Sequence, residues 1–326
     1  MTTHREPLDS VLDTVGETPL VRVHESPDEA PVYAKLESFN PGASVKDRIG
    51  KYMLEQMLER GDLAPGGTVI EPTAGNTGIG FAVAARQLDL DAVFVVPERF
   101  SVEKQTLMRA LGAEVINTPT EDGMERAIER AHELAGELEN AAVPQQFSNP
   151  LNAEAHYETT GPEIHDALDG EVGAIVAGCG TAGTLMGTAR YLRDQNSDTY
   201  VVAVEPEGSL YARLEGDHVE EDEYKTEGIG THNPATNELF DPEFVDDVIQ
   251  VSDEAAHHEL KRLASEEGHL VASSAGAASV AACQVADDIA DGVIDAPHDT
   301  VATIFPDSSE RYLSKDIYGT YAEWEG

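Results

Sequence analysis

Lys46 lies in NPGASVKDRIGKYM (Asn40 to Met53), where Ser44 with Asp47 three residues on reads as a capping-box-like helix start. The lysine then occupies the first helical turn, beside exposed N–H groups and the positive end of the macrodipole, where an ammonium is disfavoured. The expected consequence is a lowered pKa, which an amine needs to act as a nucleophile toward an aldehyde. Spacing alone leaves a plain surface charge as the alternative, for Lys46 as for its neighbours Lys35 and Lys51.

Three loops rich in small residues offer the other polar groups. GCGTAGTLMG (Gly178 to Gly187) follows an apolar run and opens a helix, with Gly178, Gly180 and Gly183 in the G-x-G-x-x-G pattern. Such a turn aims backbone N–H groups at a phosphate, helped by the Thr181 and Thr184 hydroxyls. Glu205 ends the next strand, where a dinucleotide fold puts its ribose-binding acid. A nicotinamide enzyme is therefore one reading, any phosphate-bearing cofactor a second, and a tight turn binding nothing a third. TAGNTGIG (Thr73 to Gly80) repeats the setting and presents Thr73, Asn76 and Thr77 at a helix start, suited to a carboxylate or phenolic oxygen. VASSAGAAS (Val271 to Ser279) also opens a helix, and Ser274 suits an N-cap as well as a ligand contact.

These loops need strands before them and helices after them. The runs Val32 to Glu37, Thr68 to Pro72, Ala92 to Pro97 and Glu114 to Pro119 read as strands in the first half. Ala174 to Gly178, Tyr200 to Glu205, Asp247 to Val251 and Thr300 to Pro306 do so in the second. Between them, Val45, Ile49, Met53 and Met57 recur at helical spacing, Ser101 to Leu111 stops at Gly112, and Met124, Ala127, Ala131 and Leu134 share one face. The alternation predicts an α/β protein with parallel sheets, whose ligands sit beyond the carboxyl ends of the strands. A polar loop, Pro144 to Pro162, marks the crossover between halves.

Composition sets outer bounds. The 326 residues suffice for two ordinary domains, and 40% apolar content describes a globular chain with no run long enough for a membrane span. Against 21 Lys+Arg stand 62 Asp+Glu, a formal charge of −41 spread along the chain, which argues against nucleic acid and anionic membrane and suits a halophilic protein kept soluble in high salt. MTTHREPLDS lacks the apolar core of a signal peptide, so a cytoplasmic location is expected. Cys179 and Cys283 read as small core residues, outside any metal-ligand spacing, and the acidic run EGDHVEEDEYKTEG from Glu215 as a solvated loop.

GETPLVRV, NPGASVKDR, EPTAGNTGIG, QQFSNP, YETTGPEI, GCGTAGTLMG, EGIG, SSAGAA and SSERYLS occur in this order along nearly the whole chain. Together they resemble the cysteine synthase and cystathionine β-synthase family of pyridoxal-phosphate enzymes, with the tryptophan-synthase-like fold type II. Several motifs in order are more specific than one glycine-rich fingerprint and outweigh the nicotinamide dehydrogenase. The resemblance implies two open, twisted, mostly parallel sheets flanked by helices, with the cofactor in the cleft between domains. Residues 38–149 would form a smaller mobile domain, and 1–37 with 150–326 a larger one.

The resemblance also assigns roles. Lys46 would hold pyridoxal 5'-phosphate as a Schiff base and move the substrate α-proton, and Asn76 would contact the phenolic oxygen. Thr73, Ala74, Gly75, Thr77 and Gln146 would line the substrate carboxylate site, with Gly228 on the facing wall. Gly180, Thr181, Ala182, Gly183 and Thr184 would cradle the phosphate, and Ser274 would bond the pyridine nitrogen. A neutral serine supports ring protonation less than a carboxylate does, which favours prompt β-elimination followed by thiol addition, with no metal. The expected activity is cysteine synthesis from O-acetyl-L-serine and sulfide, by a homodimer.

Three positions depart from the family's pattern: Ala74 in place of serine, Ala182 in place of glycine, and THNPATN after Gly230 in place of an aromatic-bearing segment. Ala74 and FPDSSERYLSKDIY resemble a subgroup that includes O-acetylserine-dependent cystathionine β-synthases, so homocysteine, and with it transsulfuration, is the rival to sulfide. Serine is the alternative acceptor to O-acetylserine. A phosphorylated acceptor is less expected, since EGIGTHNPATN brings no Lys or Arg. No haem-binding extension precedes Gly16 and no regulatory module follows Tyr321, so elaborate regulation is not expected.

Overall fold

The computed structural model describes residues 7–24, 30–196, 198–215 and 219–321. The first six residues of the chain start and residues 216–218 of the acidic run lie outside the described residues. The chain forms two compact units: one takes the chain up to Glu17 with Phe39–Pro144, the other Thr18–Ser38 with the chain from Gln145 onward. The segment ending at Glu17 therefore groups with the first unit, whereas the sequence division places it with the larger second one.

The described strands are β1 (Leu20–Val23), β2 (Val32–Leu36), β3 (Thr68–Pro72), β4 (Asp91–Pro97), β5 (Glu114–Thr118), β6 (Ala141–Ala142), β7 (Ala174–Gly178), β8 (Tyr200–Pro206), β9 (Asp247–Val251) and β10 (Val301–Phe305). The α-helices are α1 (Lys46–Arg60), α2 (Asn76–Gln87), α3 (Val102–Ala110), α4 (Gly123–Glu137), α5 (Leu151–Glu158), α6 (Thr160–Ala167), α7 (Gly183–Gln195), α8 (Asp253–Arg262) and α9 (Ser273–Ala290).

In the first unit β5-β4-β3-β6 form a wholly parallel sheet. In the second the order is β1-β2-β10-β7-β8-β9, parallel except for β1, which pairs antiparallel with β2. β3, β7 and β9 coincide with their sequence-predicted bounds, and β7, in the middle of its sheet, is the unbroken apolar run expected of a strand covered on both faces. β1 and β6 escaped that reading: both are short edge strands, and β1 lies inside a motif without a long apolar run.

The first unit brings α1 and α2 together through glycine. A Cβ on Gly80 would overlap the carbonyl oxygen of Lys46, and one on Gly50 the carbonyl oxygen of Gly80, both well inside the 3.0 Å that real Cβ atoms respect. Val45, Ile49, Met53 and Met57 are all buried, so α1 packs with the face its spacing predicts. α1 ends at Gly61 and α3 just before Gly112, both glycines in the left-handed region.

In the second unit Lys35 is buried on β2, donating to the Thr18 carbonyl at 2.6 Å and pairing with Glu163 at 2.7 Å; it is no surface charge. Glu259 of α8 ties that helix to α9, receiving the Ser279 hydroxyl at 2.7 Å beside His24 and Arg262. Burial alone would raise its pKa, but hydrogen bonds from His24, Arg262 and Ser279 outweigh it and bring the value down to about 2 from an ordinary 4.5. A depressed carboxyl stabilises the fold above its unfolded pKa and loses that contribution as pH falls through the folded one. Glu259→Gln should therefore cost about 2 kcal/mol near neutrality, with the deficit shrinking to nothing between pH 4.5 and pH 2, as read by denaturant unfolding at a series of pH values.

Candidate active site

Lys46 is the first residue of α1, as expected, but the cap differs from the predicted box. Val45 is the N-cap, the Lys46 amide donates to the Ser44 hydroxyl at 3.2 Å, and the buried Asp47 carboxylate turns back to accept the Gly42 amide at 2.6 Å. Asp47 thus pins the NPG turn. The lysine carbonyl rests against Gly80 of α2, so this helix start is held at its backbone from the neighbouring helix.

Thr73, Ala74, Gly75, Asn76 and Thr77 follow β3 directly, at the carboxyl end of the parallel sheet. Gly75 is the N-cap of α2 and its amide donates to the Thr73 hydroxyl at 3.2 Å. Asn76 and Thr77 thereby fall in the first turn, where backbone amides have no intrahelical acceptor and the helix dipole favours an anion. Lys46 and this loop belong to the first unit.

The other predicted residues belong to the second unit. Gly180 to Thr184 link β7 to α7 at the carboxyl end of the larger sheet. The buried Tyr211 hydroxyl donates to the Gly180 carbonyl at 2.6 Å, and Asn237 Nδ2 donates to the same oxygen at 2.9 Å. The Gly230 amide donates to the Cys179 carbonyl at 2.7 Å, and a Cβ on Gly180 would overlap the Gly228 carbonyl. The segment around Gly228 therefore packs directly on the glycine-rich turn, and Asn237, from the divergent THNPATN stretch, braces it.

Ala182 holds φ 64° as the N-cap of α7, in the left-handed region where glycine is at home. Ala182→Gly should stabilise the unit by about 1 kcal/mol, seen as a higher denaturation midpoint with cofactor affinity retained. Ser274 is the second residue of α9, behind the N-cap Ala272, and so is not the cap. It is 3% exposed and its hydroxyl has no hydrogen-bond partner among the described residues. Buried Gln146 precedes α5, its carbonyl accepting Asn152 Nδ2 at 2.7 Å.

Glu205 overturns the dinucleotide reading. The side chain is fully buried, and its carboxylate accepts the Tyr211 amide at 2.8 Å, the Ala212 amide at 3.0 Å, Gln250 Nε2 at 3.0 Å and the Ser209 hydroxyl. It anchors the loop after β8 and has no capacity left for a ribose. Sequence reasoning also missed Asn152, His156, Tyr211 and Asn237. The first two stand four residues apart in SNPLNAEAHYETTG, and that pair of polar residues on one face of a short helix was the available signal.

An α/β scaffold with two glycine-rich strand-to-helix turns and a lysine held at a helix start is a framework suited to a phosphate-bearing cofactor. The family model for pyridoxal-phosphate dependent enzymes matches residues 11–307. A Bacillus subtilis (strain 168) protein named O-acetylserine dependent cystathionine beta-synthase is 44% identical, over 94% of this chain and 97% of its own. A cysteine synthase of Helicobacter pylori (strain ATCC 700392 / 26695) is 43% identical, again over 94% and 97%. The crystal structure of an O-acetylserine dependent cystathionine beta-synthase from Helicobacter pylori superposes with a TM-score of 0.84 at 42% identity, over 96% of this chain and 100% of that one. The chain belongs to the family of pyridoxal-phosphate dependent enzymes.

The residues present fit that cofactor. Gly180 and Gly183 are needed where they stand, since a Cβ would overlap the Gly228 carbonyl and the Asn152 side chain, and Gly183 opens α7, whose first-turn amides suit a phosphate. Ser274 keeps a nearly buried hydroxyl without a protein partner among the described residues, able to meet a ring nitrogen.

Proposed function

We propose that the chain catalyses β-replacement on O-acetyl-L-serine, with sulfide as the nucleophile and L-cysteine and acetate as the products. The observation that carries the reading is Ser274: the start of α9 offers a neutral, nearly buried hydroxyl and no carboxylate. Lys46, Asn76, Gly180 to Thr184 and Ser274 hold the cofactor. When bound, pyridoxal phosphate supplies a sink for the electron pair released at the substrate α-carbon. Thr73, Gly75, Thr77 and Gln146 bind the substrate carboxylate, and Gly228 stands on the facing wall. The Lys46 amine takes the α-proton as acetate leaves the β-carbon, and as the sulfur of the incoming nucleophile, losing its own proton to the medium, bonds to that carbon the amine returns the proton to the α-carbon. The hydroxyl at Ser274 gives weak support to a protonated ring, which favours loss of the leaving group over transamination.

Homocysteine is the second reading for the nucleophile. Ala74 removes a hydroxyl from the carboxylate loop, and the Bacillus subtilis relative at 44% identity carries a name that specifies cystathionine synthesis. The proposal includes a cytoplasmic homodimer; work at high salt is supported by the charge of −41. Steady-state rates with O-acetylserine and either sulfide or homocysteine, measured across a salt series with sedimentation in parallel, test all of this. Turnover with sulfide and a dimer support the first reading, and turnover with homocysteine alone replaces it by the second. Absence of acetate release with both nucleophiles rejects β-replacement.

A further inference from the structure

We propose that α5 sets the polarity of the glycine-rich turn: Asn152 and His156 donate hydrogen bonds to the Thr181 and Thr184 hydroxyls, leaving both threonine protons to point at the bound phosphate. The inference rests on the reading of Gly180 to Thr184 as the cofactor's phosphate cradle.

Asn152 and His156 are 1% and 0% exposed and lie four residues apart, on one face of α5. Each is oriented by a partner that can play one role only. Asn152 has one amide atom 2.7 Å from the Gln146 carbonyl, and since a carbonyl only accepts, that atom is the NH2. The same nitrogen is 3.1 Å from Thr181 Oγ1, and an amide nitrogen cannot accept, so the threonine does.

His156 is set from its other side. Its Nδ1 lies 2.8 Å from the hydroxyl of Thr160, a fully buried residue. Among the described residues Nδ1 is the acceptor available to the Thr160 proton, and leaving that buried proton unpaired would be costly. Thr160 therefore donates, Nδ1 accepts and the imidazole proton resides on Nε2, 3.2 Å from Thr184 Oγ1. Thr184 accepts in turn.

A hydroxyl that accepts still has its own proton to place. Thr181 and Thr184 have no other side-chain partner among the described residues, so both complete their bonding by donating out of the turn. With the backbone amides, this makes a lining of donors alone, suited to a group that only accepts, a fully ionised phosphate monoester. Asn152, His156 and Thr160 are thus positioning residues that act through the threonines. Asn152 also joins the Gln146 backbone to the turn.

The first test needs no variant: nitrogen NMR of protein labelled with 15N-histidine, without cofactor and loaded with pyridoxal phosphate. A His156 signal with a bare Nδ1 and a protonated Nε2 in both states is expected, and a proton on Nδ1 overturns the inference. The second titrates apoenzyme with pyridoxal phosphate and with pyridoxal, which lacks the phosphate, for Asn152→Ala, Thr160→Val and Thr184→Val. Each should weaken pyridoxal phosphate about tenfold and leave pyridoxal within about twofold, the loss of one charge-assisted hydrogen bond. Equal weakening of both ligands by Asn152→Ala and Thr160→Val would make the role merely structural and overturn it. If Thr184→Val alone leaves pyridoxal phosphate affinity unchanged, the cradle reading itself fails, and that result is distinct from the other two.

Discussion

Lys46→Ala should bind pyridoxal phosphate without the visible absorbance of a lysine-linked cofactor and should release acetate from O-acetylserine about 10⁴-fold more slowly than the parent enzyme. On the proposed function, the size of the effect would reflect two tasks in one amine: fixing the cofactor and moving the α-proton. As the first residue of α1, Lys46 stands at the positive end of the dipole, where the charged form is disfavoured, and its backbone is held against Gly80. Lys46→Arg, which keeps the charge but offers no nucleophilic amine, should be equally inactive. A small primary amine added to the alanine variant should restore part of the rate, since the missing group is then supplied from solution. Retention of the visible band in Lys46→Ala would reassign the cofactor-linking amine to another lysine.

Gly80→Ala and Gly136→Ala should shift stability in opposite directions, although both replace a glycine inside a helix. At Gly80 the new methyl overlaps the Lys46 carbonyl, a backbone atom that cannot swing aside, so α1 and α2 must separate. A loss of about 3 kcal/mol is expected, with catalysis falling further because the displaced element carries Lys46. At Gly136 in α4 nothing lies within 4 Å of the added atom, and the gain is the ordinary helix preference, about 0.5–1 kcal/mol. Denaturant midpoints of both variants measure the pair. A neutral Gly80→Ala would show that the α1–α2 approach has slack, and would remove the packing account of how Lys46 is positioned.

The site was legible where chemistry is local. A glycine-rich turn, a helix start after a buried strand and an apolar face at helical spacing are rules within a few residues, and they located the turn at Gly178 to Thr184, the loop at Thr73 to Thr77 and the buried face of α1. The same local rules read a capping-box-like start at Ser44 and Asp47, but could not see that the N-cap falls on Val45 or that the Gly42 amide lies within reach of the Asp47 carboxylate. They also gave Glu205 a ribose to bind, when its oxygens are filled by the loop after β8.

What this sequence determined by itself is the α/β alternation, the glycine-rich turn after β7 and, through the order of its motifs, the resemblance to pyridoxal-phosphate enzymes. What only the tertiary structure decided is which groups brace those motifs: Gly80 behind Lys46, Tyr211 and Asn237 on the Gly180 carbonyl, and Asn152 and His156 beneath the threonines. The reason is separation along the chain. Asn237 stands 57 residues from Gly180 and Asn152 stands 29 from Thr181, so no local preference encodes either contact. The first arises when β7 and β8 pair and bring their following loops to one end of the sheet, the second when α5 packs against α7.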